Sequence, residues 1–157
     1  FIPCTPYGCI KILDFYNIET NSKNIVIVGR SNLVGKPLFL LLSQNFKIGN
    51  ATVTLCHTGT KELSYFTKNA DIIVAAVGKQ KLINSQMIKD DVVIIDVGIN
   101  RIEDDSDRGY HITGDVDYND VLAKTKAITP VPGGVGVMTV TMLLYNTVQA
   151  AKNIYLK

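Results

Sequence analysis

Two stretches of this sequence hold residue types that could do chemistry. "GRSNLVGKP" (29–37) places a glycine, an arginine and a serine in succession, and "VPGGVGVMTV" (131–140) packs three glycines into four positions behind a proline. In the first, Gly29 would let the chain turn sharply. Ser31 and the backbone N–H groups up to Gly35 would face an anion, and Arg30 would add a charged fork able to grip phosphate through two hydrogen bonds. The same residues also describe a plain strand-to-helix turn with a serine N-cap and a surface arginine. Both readings stand, because residue 31 is Ser where the G-x-G-x-x-G fingerprint carries its second glycine.

The other reactive side chains form no set. His57 and His111 are the only histidines, and their spacing gives no Ser/His/Asp or Cys/His arrangement. Cys4, Cys9 and Cys56 fit no zinc or disulfide pattern and read as reduced thiols, so no metal is expected. Asp96 in "DVGIN" and Asp115 in "GDVD" could serve as acid or base, but an aspartate at a strand end more often binds loop backbone. The acidic run "EDDSD" (103–107) reads as a solvated loop.

Positioning these groups falls to an alternation of short apolar runs and helical patterns. "NIVIVG", "ATVTLC" (51–56), "DIIVAAV" (71–77), "VVIIDV" (92–97) and "AIT" (127–129) read as strands. Between and around them, helices are expected over 8–17, 33–46, 60–69, one or two turns of 84–90, and 137–156, with prolines in an irregular segment before the first. The last helix should turn Val140, Leu143 or Leu144, Thr147 or Val148, Ala151 and Ile154 inward as its apolar face. This order predicts an α/β fold of the Rossmann type, a doubly wound, mostly parallel sheet with helices on both faces. Ligands in such sheets lie beyond the strands' carboxyl ends, here just after Val28, Cys56, Val77, Val97 and Thr129.

Composition agrees with one globular domain: 157 residues, 46% hydrophobic and 19% charged, are enough for a sizeable core. The net charge of +2 is spread over scattered lysines, so nucleic acid is not an expected partner. No apolar run approaches the roughly 18 residues of a membrane span, and no charged-then-apolar leader is expected ahead of the fold. No membrane is expected, and the cytoplasm is the default compartment. The end of the second strand, "LCHTGT", carries no carboxylate until Glu62, where an NAD-binding fold places an acid against the ribose. With Arg30 nearby, that absence favours NADP.

"PCTPYG" (3–8), "VGRSNLVGKP" (28–37), "DVGIN" (96–100), "GDVD" (114–117) and "TPVPGGVGVMT" (129–139) resemble, in order and spacing, the bifunctional methylenetetrahydrofolate dehydrogenase/methenyltetrahydrofolate cyclohydrolase family. The resemblance implies a two-domain enzyme that oxidises 5,10-methylenetetrahydrofolate with NADP and hydrolyses the product to 10-formyltetrahydrofolate. It also implies a homodimer contacting through this domain. Residues 1–22 are then expected to be a crossover segment and helix from a preceding catalytic domain, and 23–157 the NAD(P)-binding domain. The family's catalytic lysine, within Tyr-x-x-x-Lys, is expected upstream of Phe1, so no catalytic residue is assigned here.

By the same resemblance, Gly29, Arg30 and Ser31 match the dinucleotide turn, Thr58 the holder of the 2′-phosphate, and Ile99 the residue packing near the nicotinamide. Pro132, Gly133, Gly134, Val135 and Gly136 match a loop facing folate and nicotinamide, and Thr139, assigned to the cofactor, begins the long helix. The family loop reads P-G-G-V-G-P-M-T, whereas Val137 stands at the second proline here. A proline there fixes φ and gives up only an N–H without a helical partner, so valine leaves the fold intact and the loop less rigid. Other readings are an NAD-dependent monofunctional dehydrogenase, a nucleotide-binding domain without chemistry, and a Rossmann-type methyltransferase.

Overall fold

The computed structural model describes residues 1–155. Five strands, β1 (Asn24–Val28), β2 (Thr52–Cys56), β3 (Ile72–Ala75), β4 (Val92–Asp96) and β7 (Thr125–Ile128), form one sheet in the order β2-β1-β3-β4-β7. All four pairings are parallel. The order reverses between β1 and β3, which makes the crevice beyond their carboxyl ends the fold's switch point.

These segments are near-continuous apolar runs because both of their faces are covered. Side chains alternate across a strand. Ile25, Ile27, Ile72, Val74, Val93 and Ile95 therefore enter one core, with Leu13, Leu38 and Leu42 from the helices. Val26, Val28, Ile73, Ala75, Val92 and Ile94 enter the other, with Ile83, Val116 and Val121. Helices α1 (Cys4–Phe15), α2 (Gly35–Ser43) and α5 (Val135–Tyr155) supply the first layer, and α3 (Leu63–Thr67) and α4 (Tyr118–Val121) lie with the second.

The prolines near the start open α1 and do not precede it. Pro3 is the N-cap and Pro6 lies in the first turn, where a missing N–H leaves no helical bond unmade. Against α1 runs α5, so close that a Cβ on Gly8 would stand 3.1 Å from Met138 Cβ. The hydroxyls of Thr5 and Thr139 bond at 3.0 Å, and Asn146 Nδ2 donates to Ile2 O at 2.9 Å.

This contact corrects the expected face of the last helix. Met142 is buried, with Met138, Thr139 and Asn146 half-buried, while Val140, Leu143, Leu144, Thr147, Val148, Ala151 and Ile154 are exposed. The packed stripe uses a glycine gap and hydrogen-bonding side chains, which a search for large apolar residues passes over. The helix also begins at Val135 instead of 137, and Leu156, its expected end, lies outside the described residues.

Two further elements escape the sequence pattern. An antiparallel hairpin, β5 (Asn100–Glu103) and β6 (Tyr110–Thr113), stands off the main sheet, with "EDDSD" running into its exposed turn. The expected helix over 60–69 shrinks to α3, and 84–90 holds a single 3₁₀ turn, Ser85–Met87.

At the amino ends of the strands, Asp71 accepts from Asn24 N–H at 2.8 Å and from Lys89 Nζ at 2.6 Å. Lys89 first, then the Asn24 N–H, holds this carboxyl below the usual range. Its stabilisation is therefore present above the ordinary carboxylate pKa of about 4 and is lost as pH falls through the lowered folded value. Asp71→Asn should cost about 1 kcal/mol at pH 7 in urea titrations, a figure kept small because the pair is partly exposed. The difference should vanish in strong acid, and a pH-independent difference would contradict the assignment.

Candidate functional site

The chain leaves β1 through a gap that only glycine fits. Gly29 has φ of +125°, donates its N–H to Cys56 O at 2.9 Å, and carries its α-carbon so close to Ala76 O that any Cβ would strike it. It thus sits over the switch point, between the ends of β2 and β3. Ser31 follows, and its Oγ accepts from Val34 N–H at 3.0 Å and Gly35 N–H at 3.4 Å. Those two N–H groups, expected to face an anion, are turned onto the serine, whose hydroxyl ties down the turn ahead of α2, while the N-cap itself is Val34. Arg30 is exposed, and among the described residues it has no carboxylate partner.

Beside it, the end of β2 closes into a small turn. Thr60 Oγ1 accepts from His57 N–H at 2.9 Å, and His57 Nδ1 accepts from Gly59 N–H at 3.0 Å. Thr58 lies exposed at the tip of that turn. Neither threonine caps α3, whose N-cap is Glu62.

A cavity of about 210 Å³ opens past β4 and β7, between the Asp96–Ile99 segment, Ile112 and the loop 130–137. It gathers Ile99, 65% exposed, together with Pro132, Gly133, Gly134, Val135 and Gly136. The loop enters through a cis Val131–Pro132 bond, Gly133 has φ of +102°, and Val137 is exposed at the mouth. Thr139 stands apart from this group. Its hydroxyl bonds Val135 O at 3.1 Å and Thr5 Oγ1 at 3.0 Å, which ties the start of the helix to α1.

Beneath the cavity, the two strand-end aspartates bind backbone. Asp96 accepts from the N–H groups of Gly98, Asp115 and Val116, at 2.9, 3.0 and 3.0 Å. Asp115 accepts from those of Val77, Gly78 and Lys79, at 2.7, 3.0 and 2.9 Å, and from Asn100 Nδ2 at 2.9 Å. Burial pushes the Asp96 carboxyl up, opposed by its N–H donors. Ile112 and Asn100 were missed as site residues, since both belong to the unforeseen hairpin.

A family model described as "Tetrahydrofolate dehydrogenase/cyclohydrolase, NAD(P)-binding domain" matches residues 3–155. The chain belongs to this family. Within it, the chain is similar to the bifunctional protein FolD of Chlorobium phaeobacteroides, 56% identical over 155 residues that make up 98% of this chain and 52% of that protein. Among solved structures, the FolD methylenetetrahydrofolate dehydrogenase/cyclohydrolase of Campylobacter jejuni has a TM-score of 0.89 at 49% identity, covering 98% of this chain and 51% of that one. FolD from Trypanosoma brucei, complexed with NADP cofactor and inhibitor, has a TM-score of 0.87 at 35% identity, covering 94% and 50%. The chain spans about half the length of the curated relatives it matches.

The NAD(P)-binding domain of the dehydrogenase/cyclohydrolase family has here a cradle of the right kind for a dinucleotide. A glycine turn lies over the switch point, an uncompensated arginine follows it, and a glycine-rich cavity opens further along the same edge. Gly29→Ala should destabilise this domain by about 1–3 kcal/mol, because it adds a collision with Ala76 O to a disfavoured φ. Chemical denaturation reads the loss, and an unchanged midpoint would show that the turn is not so constrained.

Proposed function

We propose that this chain is the NADP-binding half of an enzyme that oxidises 5,10-methylenetetrahydrofolate to 5,10-methenyltetrahydrofolate and hydrolyses that product to 10-formyltetrahydrofolate. The observation that carries the reading is the family match over residues 3–155, with Gly29 and Arg30 standing at the switch point of the sheet. NADP bound along this edge supplies the hydride acceptor.

Gly29 admits the backbone turn, Ser31 holds the start of α2, and Arg30 with Thr58 receives the 2′-phosphate. The end of β2 has no carboxylate before Glu62 to repel that phosphate. At the other end, Ile99 packs on the nicotinamide, while Pro132, Gly133, Gly134, Val135 and Gly136 face the folate. The chain's task in the hydride step is orientation, because the folate nitrogen's lone pair drives the hydride out and no protein base is needed. Cyclohydrolase chemistry falls to a lysine upstream of Phe1, so the chain by itself binds NADP without turning over folate. Residues 1–22 serve as the crossover between the two halves. Assembly as a homodimer completes the reading and rests on family resemblance, with the cytoplasm as the default compartment.

Arg30→Ala should weaken NADP by about 1.5–3 kcal/mol in isothermal titration, the scale of a hydrogen bond to a charged group, while NAD changes little. An equal loss for both cofactors would mean that Arg30 does not read the 2′-phosphate.

A further inference from the structure

Asp96 and Asp115 are 4% and 0% exposed, and among the described residues neither is paired with a lysine, arginine or histidine side chain. Burying a charge without a cation costs several kcal/mol unless hydrogen bonds replace the lost water. Here seven hydrogen bonds do so, six from backbone N–H groups and one from Asn100. Every donor lies in one of three segments: 77–79 after β3, 98–100 after β4, and 115–116 after β6.

The two carboxylates also interlock. A Cβ on Gly98 would strike the Asp115 carboxyl, and a Cβ on Gly114 would strike that of Asp96. Each aspartate thus fills the space left by the glycine of the other's motif, Asp96-Val97-Gly98 against Gly114-Asp115-Val116. Asp96 additionally donates its N–H to Thr129 Oγ1 at 2.8 Å, which ties the pair to the chain entering the 130–137 loop. Asp96 and Gly98 line the cavity together with that loop. In contrast, neither carboxylate bonds any residue of 29–35 or 57–60 at the far end of the edge.

We propose that Asp96 and Asp115 are positioning residues for the nicotinamide end of the cofactor, locking the 77–79, 98–100 and 114–116 segments into one rim of the cavity. This rests on the NADP reading above. Charged acceptors hold several N–H groups at once, and a supporting shell of this kind sets whether a site is rigid or loose. Loosening it should move Gly98 and Ile99 and spare the phosphate turn. In Asp115→Asn one carboxylate oxygen becomes an NH₂ facing N–H donors, so two of its four hydrogen bonds are lost, those from Val77 and Gly78 or those from Lys79 and Asn100, and the rim loosens.

Isothermal titration with two probes separates the ends of the site. One is NADP, and the other is 2′,5′-ADP, which carries the adenosine and the 2′-phosphate but no nicotinamide. Asp115→Asn should weaken NADP by about tenfold or more, the worth of one hydrogen bond to a charged group, and leave 2′,5′-ADP within about twofold. Asn100→Ala, which removes the amide that donates to both Asp115 and Gly114 O, should show the same split at about threefold and serves if Asp115→Asn does not fold. A wild-type chain that binds neither probe overturns the cofactor reading itself. Wild-type binding of both, with a variant that loses both alike or neither, overturns only the positioning role.

Discussion

The carboxyl edge of the sheet depends on how closely Gly29 passes between Cys56 and Ala76. β2 and β3 flank β1 in parallel, so the chain leaving β1 must turn inside the space their ends define. The N–H of Gly29 reaches Cys56 O, Ala76 N–H reaches Val28 O, and no room remains for a side chain. This squeeze sends the next residues out over the edge, exposes Arg30, and brings α2 back onto the sheet where Leu38 and Leu42 are wholly buried. An exposed turn at the switch point therefore follows from strand order and one missing Cβ.

The other end of the edge is built differently. There the loop 130–137 and the segment 96–99 are held by side chains: Thr129 on Asp96, Asp96 on the turn before α4, and Asp115 on the loop after β3. α5 anchors the far side of that loop through its contact with α1. The Gly29 end thus rests on backbone geometry, and the cavity end on buried carboxylates. That difference fits a site whose two ends do different work, one gripping and one orienting.

Much of this was legible in the residues, for identifiable physical reasons. Strands buried on both faces must be apolar throughout, so "NIVIV" and "VVIID" stand out without ambiguity. Glycines at a turn and beside a cavity declare themselves by type. The hairpin did not, since Asn100–Glu103 and Tyr110–Thr113 lie outside both cores and carry little apolar signal. Nor did the packed face of α5, where Met138 meets Gly8 of α1, Thr139 and Asn146 bond across, Met142 is buried, and Val140, Leu143, Leu144 and Val148 face outward. The interlock of Asp96 with Gly114 was invisible because the hairpin brings together residues that sequence spacing alone cannot relate.

The central claim is that a dinucleotide lies along the carboxyl edge from the Gly29 turn to the Gly133–Gly136 loop. Titrating NADP into the isotopically labelled chain and following its backbone amide resonances tests this directly. Shifts concentrated at 29–35, 57–60, 98–99 and 133–137, with the amino ends of the strands around Asn24 and Asp71 unmoved, are the expected result. Shifts confined to the amino ends, or none at saturating NADP, would contradict it.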